Sequence, residues 1–249
     1  MKYAWLLVWL LFGAGCASTP PVKGEKVPEA HMTKGQMLQS DPNRMASLEI
    51  RDNLATLYVL MDKLYKRNPV QWKKTGVATQ VEAEARIKAA VEARKPLPEL
   101  GNLRDIAAIS RALDPDFKGD RVGALSYGMA DMLITAHGGK TNLYLIDGLD
   151  AQLLYNASRN IEIAMWMLAQ RKDTHGQPLL LSNELSEHGH NLSFEREFGT
   201  IIGRTDLVAE FTAEKYRRSV INYVQSFLGG QFLQFLPVQA VSSAAAGAQ

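Results

Sequence analysis

The sequence predicts an all-α protein with a single helical domain of about six helices over residues 41–237. Apolar residues recur at spacings of three and four along most of this stretch. The periodic segments follow residues that cap helices, and they end at proline or glycine. With 249 residues, 46% of them hydrophobic, the chain is long enough to bury one sizeable core.

Each helix has its own start and stop signals. The first runs through the apolar stripe from Met45 to Tyr65, between Asp41-Pro42-Asn43 and Asn68-Pro69. Segment 148–171 is apolar over more than half its circumference, so we expect it to be the central buried helix. The other helices are predicted over 79–94, 102–113, 120–137 and from Thr205-Asp206 to Leu228.

Two short apolar runs leave one alternative open. Residues 142–146 (NLYLI) and 178–182 (PLLLS) resemble strands, and they flank the predicted central helix. A right-handed strand-helix-strand unit over 142–182 is therefore the alternative to a purely helical domain.

The first residues have the pattern of a signal peptide. Lys2 precedes an unbroken apolar run of nine residues, Ala4–Phe12. Such a run is too short for a transmembrane helix, which needs about 20 residues, but it fits a signal-peptide core. Small residues follow, up to Cys16, the only cysteine of the chain. A lone cysteine leaves no intramolecular disulfide to form.

The segment Gly13-Ala14-Gly15-Cys16 resembles the lipobox of bacterial lipoproteins, with Gly13 where that family usually has leucine. The resemblance implies that residues 1–15 are removed and that Cys16 carries a diacylglycerol and an acyl chain such as palmitate. Ala17 after the cysteine implies, in a Gram-negative cell, sorting to the outer membrane facing the periplasm.

The segments at the two ends of the domain are predicted to lack structure. Residues 16–40 contain three prolines, two glycines and no apolar period, so we expect a flexible tether behind the lipid anchor. Residues 238–249 are rich in small residues and are expected to be a disordered tail.

Charge and motifs argue against nucleic acid and nucleotide as partners. Lys and Arg number 28 against 26 Asp and Glu, which gives no basic excess. Gly138-Gly139-Lys140-Thr141 ends like a phosphate loop, but the position of its first glycine is Ile134. We expect a helix stop at this sequence and no cofactor.

Ser126 lies in an A-x-S-x-G sequence that resembles a nucleophile elbow. An elbow needs a strand before the serine, whereas helical periodicity surrounds this one, which favours close helix packing through small residues. Possible triad partners follow in hydrolase order: Asp147 or Asp150, then His188 or His190.

A second candidate site is the polar segment 183–197. Histidines in a His-x-His sequence with nearby carboxylates can bind zinc. Their spacing matches no dense zinc signature, so a solvated loop is the favoured interpretation. The candidate ligands are Glu184, Glu187, His188 and His190.

A pair of asparagines and the apolar residues of the last helix indicate packing more than function. Asn156 and Asn160 are expected to be core asparagines, with a polar cleft as the alternative. The arc of the last helix (Tyr216, Val220, Tyr223, Val224, Phe227, Leu228) is predicted to be mostly core. After the Gly229-Gly230 turn, the run Phe232, Leu233, Phe235, Leu236 is expected to close the core, or else to form a patch that binds a partner or touches the membrane.

Together these patterns predict a lipid-anchored, non-catalytic scaffold or accessory factor in envelope assembly or transport, with an envelope protein as partner. The alternative is an envelope hydrolase or metal-dependent enzyme that uses Ser126 or the 184–197 loop.

Replacing the cysteine tests the anchor. In Cys16→Ser cells, metabolic palmitate labelling of the protein should disappear, because the acceptor thiol is gone, while the parent chain is labelled. Labelling that persists in the variant would show that Cys16 is not the lipidated residue.

Overall fold

The structure is a computed structural model that describes residues 38–186 and 189–233, with side chains described outside 185–190 and 227–233. These residues belong to one compact unit, Gly35–Gln249. The predicted signal peptide, Cys16, most of the tether and the 238–249 tail lie outside the described residues.

The predicted all-α class is confirmed, with seven α-helices in the described part of the chain. The described residues also include a 3₁₀ turn, Pro98–Leu100, and a small antiparallel hairpin that pairs β1 (Glu184–Ser186) with β2 (Gly189–Asn191). The helices are α1 (Asp41–Arg67), α2 (Pro69–Lys73), α3 (Gln80–Glu92), α4 (Asp105–Ala112), α5 (Arg121–Ala136), α6 (Ala151–Gln170) and α7 (Ser193–Leu233).

The strand-helix-strand alternative is wrong. Residues 142–146 form a turn whose polar groups bond to α1 and to the residue before its cap: Ser47 Oγ accepts from Leu143 N at 2.9 Å, and Gln39 Nε2 donates to Leu143 O at 2.8 Å. Residues 178–182 contribute only an isolated bridge between Pro178 and Lys172. Side chains of α1 thus take the place of a strand ladder for the first run.

Local capping explains most helix boundaries. Ser40, Thr79 and Asp120 each accept a hydrogen bond from a backbone N–H in the first turn of the helix that follows. Gly138 and Gly139 have φ of 70° and 77° and end α5 as predicted.

The central buried helix is α5, and the prediction for 148–171 is wrong. Almost every residue of α5 is buried, because it contacts α1, α3, α4 and α6. Helix α6 packs mainly on α7 and leaves Leu153, Tyr155, Ile163 and Trp166 half exposed. Gly128 allows the tight contact between α5 and α4, since a Cβ there would lie 2.9 Å from the backbone nitrogen of Ile109.

The last helix begins twelve residues before the predicted Thr205-Asp206 cap and is helical through Gly229-Gly230. Thr205 is fully buried against α1, and Asp206 forms an ion pair with Arg159 of α6. These two residues therefore make tertiary contacts instead of capping a helix. The predicted turn at the glycine pair is also absent, because the backbone there stays helical.

A buried polar network joins the two long helices. Glu49 Oε1 of α1 accepts from Thr205 Oγ1 of α7 at 2.8 Å, and Asn53 Nδ2 donates both to Glu49 Oε1 and to Thr205 Oγ1. All three residues are at most 6% exposed.

The other oxygen of Glu49 connects the network to the end of α5. Glu49 Oε2 lies 2.7 Å from His137 Nε2, and both side chains are buried. His137 Nδ1 lies 2.7 Å from Leu133 O, so that nitrogen must donate, because a carbonyl only accepts.

Thr205→Val removes the network's hydroxyl at nearly constant shape. We expect the free energy of unfolding to fall by about 1–3 kcal/mol, because buried polar atoms of Glu49 and Asn53 lose a partner. The control Thr200→Val removes a hydroxyl that bonds only to Arg196 O of its own helix, and should cost less than about 0.5 kcal/mol. If chemical denaturation gave the same loss of unfolding free energy for Thr205→Val and Thr200→Val, the stabilising role of the network would be contradicted.

Candidate functional site

Ser126 lies inside α5, with helix on both sides and 1% of its surface exposed. The strand and strained turn of a nucleophile elbow are therefore absent at this serine. Asp150 caps α6, and Asp147 pairs with Lys140 and accepts from Tyr144 N. His188 and the side chain of His190 lie outside the described residues, so the rest of the suggested triad stays a prediction.

The zinc interpretation concerns residues that the structure describes only in part. Glu184 forms a 3.0 Å ion pair with Arg67. Glu187 and His188 are outside the described residues, as is the side chain of His190. Over the side chains that are described, no group of three His, Cys, Asp or Glu could hold a metal ion.

Asn156 and Asn160 are not core asparagines. Asn156 is exposed and accepts from Gln152 Nε2 at 2.8 Å, and Asn160 is half-buried. Both line a shallow cleft of about 420 Å³ between α4, α5 and α6, the alternative that the sequence left open. The prediction that these asparagines pack in the core is wrong because the side of α6 that carries them faces the cleft.

The C-terminal half of α7 leaves the body of the protein. The prediction that its arc is mostly core is wrong for the four described members, which are exposed: Tyr216, Val220, Tyr223 and Val224. The side chains of Phe227 and Leu228 lie outside the described residues. Tyr216 Oη donates to Leu149 O at 3.2 Å, and every residue from Arg217 to Ser226 is exposed. We call Arg217–Ser226 the C-terminal arm. Its exposed apolar residues are Val220, Ile221, Tyr223 and Val224.

The run predicted to close the core lies beyond this arm. The backbone of Phe232 and Leu233 continues the helix, whereas their side chains, and all of Phe235 and Leu236, lie outside the description. Of the helices that the structure describes, none is long and apolar enough to cross a membrane.

A cavity of about 580 Å³ follows one face of α1. We call it the α1 cleft. Its other walls are the end of α3, the end of α5 and the loop 139–142. The lining residues of α1 recur at helical spacing, as Arg44, Ser47, Leu48, Arg51, Leu54, Ala55 and Tyr58.

One end of the α1 cleft is cationic. Arg44 and Arg51 lie seven residues apart and therefore on one side of α1. Arg51 pairs with Asp52, whereas the Arg44 side chain has no partner among the described residues. Thr141 and Asn142 line the same cleft. The hydrogen bonds of Leu143 with Ser47 and Gln39 fix the position of their loop.

The other end is mainly apolar. Leu54 and Val91 line it, together with the ring of Tyr58. Burial, with the nearby Glu92 carboxylate, raises the pKa of Tyr58 to about 12, so its hydroxyl stays a neutral hydrogen-bond donor. Glu92 is the only acidic residue among those that line the cleft.

Asp131 holds the third arginine of the cleft. Its fully buried carboxylate lies 2.6 Å from Arg94 Nη1, and Arg104 donates two hydrogen bonds to it, at 2.6 and 2.9 Å. Burial alone would raise the pKa of Asp131, but the hydrogen bonds from Arg104 and the charge of Arg94 lower it below its usual range. Asp131 thus fixes the position of Arg94 and neutralises part of its charge.

Backbone strain concentrates around Asp131. Arg94 and Asp105 have φ of 54° and 48°, and they are the non-glycine residues of the described chain with positive φ. Burial, with the contact to the Asp131 carboxylate, raises the pKa of Asp105. Strain of this kind persists where surrounding contacts hold it, here the arginine–aspartate bonds.

Asp131→Asn should lower the free energy of unfolding by about 1–3 kcal/mol at pH 7, because two half-exposed arginines lose a carboxylate. A lowered pKa stabilises the fold above the ordinary aspartate pKa of about 4, and this stabilisation is lost as pH falls through the lower folded pKa. The parent and variant stability curves should therefore converge below about pH 4.

Asp116→Asn, at an exposed aspartate, is the control and should leave the stability curve almost unchanged. A constant gap between the parent and Asp131→Asn curves from pH 7 down to pH 3 would contradict the assigned role of Asp131.

Comparison with protein-family models, with curated proteins and with solved structures finds no match to this chain. Its function is therefore inferred from the C-terminal arm, the α1 cleft and the sequence motifs.

Proposed function

We propose that this chain is a lipid-anchored, non-catalytic accessory protein of the bacterial envelope that binds a protein partner through its C-terminal arm. The observation that carries the proposal is the exposed apolar surface of the arm, where Val220 is 66% and Tyr223 74% exposed. The anchor rests on the lipobox-like residues Gly13–Cys16.

The arm has the pattern of a helix that binds in a groove. Val220, Tyr223 and Val224 follow at spacings of three and four, with Ile221 and the polar Asn222 between the first two. A lone helical segment of this length is only marginally stable in water without a packing surface. A binding partner would supply that surface.

The charges of the arm favour a protein over a lipid surface. Helices that lie on membranes usually carry lysine and arginine along the polar face. Here the only cations are Arg217 and Arg218, and Glu214 pairs with both. From Ser219 to the last residue the chain has no Asp, Glu, Lys or Arg. An uncharged polar face fits the apolar groove of a protein partner, where desolvating charges would be costly.

Photo-cross-linking in cells tests the proposal. A photoreactive residue at position 223 should give a discrete adduct with a second protein. Val220→Glu together with Val224→Glu should abolish that adduct, because two carboxylates would be buried in an apolar contact. The unfolding free energy should change by less than about 0.5 kcal/mol, since both valines are largely exposed.

Val81 on α3 provides the matched control, because it is an apolar residue that is 73% exposed on a different helix. A photoreactive residue there should give no such adduct, and Val81→Glu should leave the adduct from position 223 intact. The proposed partner binding would be overturned if position 223 cross-linked only to lipid or only to a second copy of the chain. It would also be overturned if the double substitution left the adduct unchanged.

A further inference from the structure

We propose that the α1 cleft binds an amphipathic anion, an unbranched alkyl chain that ends in a phosphate or carboxylate. This site is separate from the C-terminal arm and does not depend on the function proposed for the arm. Its volume of about 580 Å³ lies within the usual range for small-molecule sites.

The anionic group is assigned from the arginines. Arg44 is half-buried and its guanidinium has no partner in the described part of the chain. Arg51 lies two turns further along the same side of α1, and its partner Asp52 is not among the lining residues. A guanidinium can donate two parallel hydrogen bonds to a phosphate or carboxylate, which makes such a group the natural ligand of Arg44.

The alkyl chain is assigned from the opposite end. Leu54 is partly buried and presents apolar surface one turn beyond Arg51, and Tyr58 follows one turn later. Seven residues of helix, from Arg51 to Tyr58, span about 10 Å. A ligand with its anionic end at the arginines would therefore lay an apolar chain of that length over these side chains.

Two other charged residues line the cleft, Glu92 and Arg94, and the buried Asp131 carboxylate neutralises part of the charge of Arg94. The Glu92 carboxylate fixes the orientation. Glu92 lines the cleft and contributes to the raised pKa of Tyr58, so a carboxylate lies near the apolar end. An anionic head placed there would be repelled. The head group is therefore directed to Arg44 and Arg51, away from Glu92.

The loop wall completes the anionic end. Gly139, Thr141 and Asn142 line the cleft and are exposed, so their polar groups are accessible to a ligand. The hydrogen bonds that Ser47 and Gln39 form with Leu143 hold this loop against the N-terminal part of α1, beside Arg44. The binding groups are thus held in place before the ligand arrives, which lowers the entropic cost of binding.

Native mass spectrometry of the full chain in dodecyl maltoside tests the site, with dodecyl phosphate as the probe. The neutral detergent is present in excess and competes for any purely apolar surface. We expect one dodecyl phosphate per chain, saturably bound. Arg44→Gln should weaken binding about tenfold, because it removes a charge-assisted hydrogen bond.

A second variant separates charge from packing. Ala55→Glu places a carboxylate on an exposed helical position that lines the cleft, and it should also weaken binding about tenfold. The matched controls are Ala85→Glu, on an exposed face of α3, and Arg171→Gln, at an exposed arginine away from the cleft; both should leave the affinity within about twofold. Melting temperatures of all four variants verify that they fold.

Several outcomes would overturn the proposal. The first is dodecyl phosphate binding that does not saturate, and the second is an unchanged affinity in Arg44→Gln. The third is equal occupancy by inorganic phosphate, which would show that the apolar end of the cleft contributes nothing to binding. Binding to phosphatidylglycerol vesicles without uptake of free dodecyl phosphate would also overturn it, because contact with a head group at a surface needs no apolar cleft. Uptake of the free amphiphile together with the expected variant effects supports it.

Discussion

The packing of α1, α7 and the end of α5 against one another depends on one buried carboxylate, that of Glu49. One oxygen binds Thr205 and Asn53, and the other meets His137. Through these partners α1, α7 and the end of α5 are fixed to one another. A buried carboxylate without partners would be very costly, so each helix can occupy only the position that satisfies it.

This constraint also shapes the α1 cleft. The network fixes one face of α1 towards the core, so the opposite face, with Arg44, Leu48 and Arg51, is left to line a cavity. His137 follows α5 directly, and the glycine turn after it leads into the loop that forms the far wall. Core and cleft are thus two consequences of one orientation of α1.

Much of the fold could be predicted because its signals are local. Thr79 and Asp120 cap their helices, and the glycines after His137 end α5, since capping and left-handed backbone depend on a few neighbouring atoms. The start of α7 was mispredicted for the opposite reason: Thr205 and Asp206 have cap-forming side chains, but distant helices use them. Burial of α6 was overestimated because apolar periodicity does not reveal how many neighbours a helix has. The cleft itself had a sequence signal, arginines seven residues apart beside leucines, but its other walls come from distant segments.

The continuity of α7 has a mechanical consequence. A helix of 41 residues is about 61 Å long, and its first half is fixed to α1 and α6. A partner that packs on the second half would make that half a rigid lever. A partner on the arm would be held at a set distance and angle from the body, in contrast to one bound through a flexible tail. Small rotations at the base, where Tyr216 bonds to Leu149, would be magnified at the tip. Force or displacement applied to the arm would therefore reach the Thr205–Glu49 contact directly along one helix.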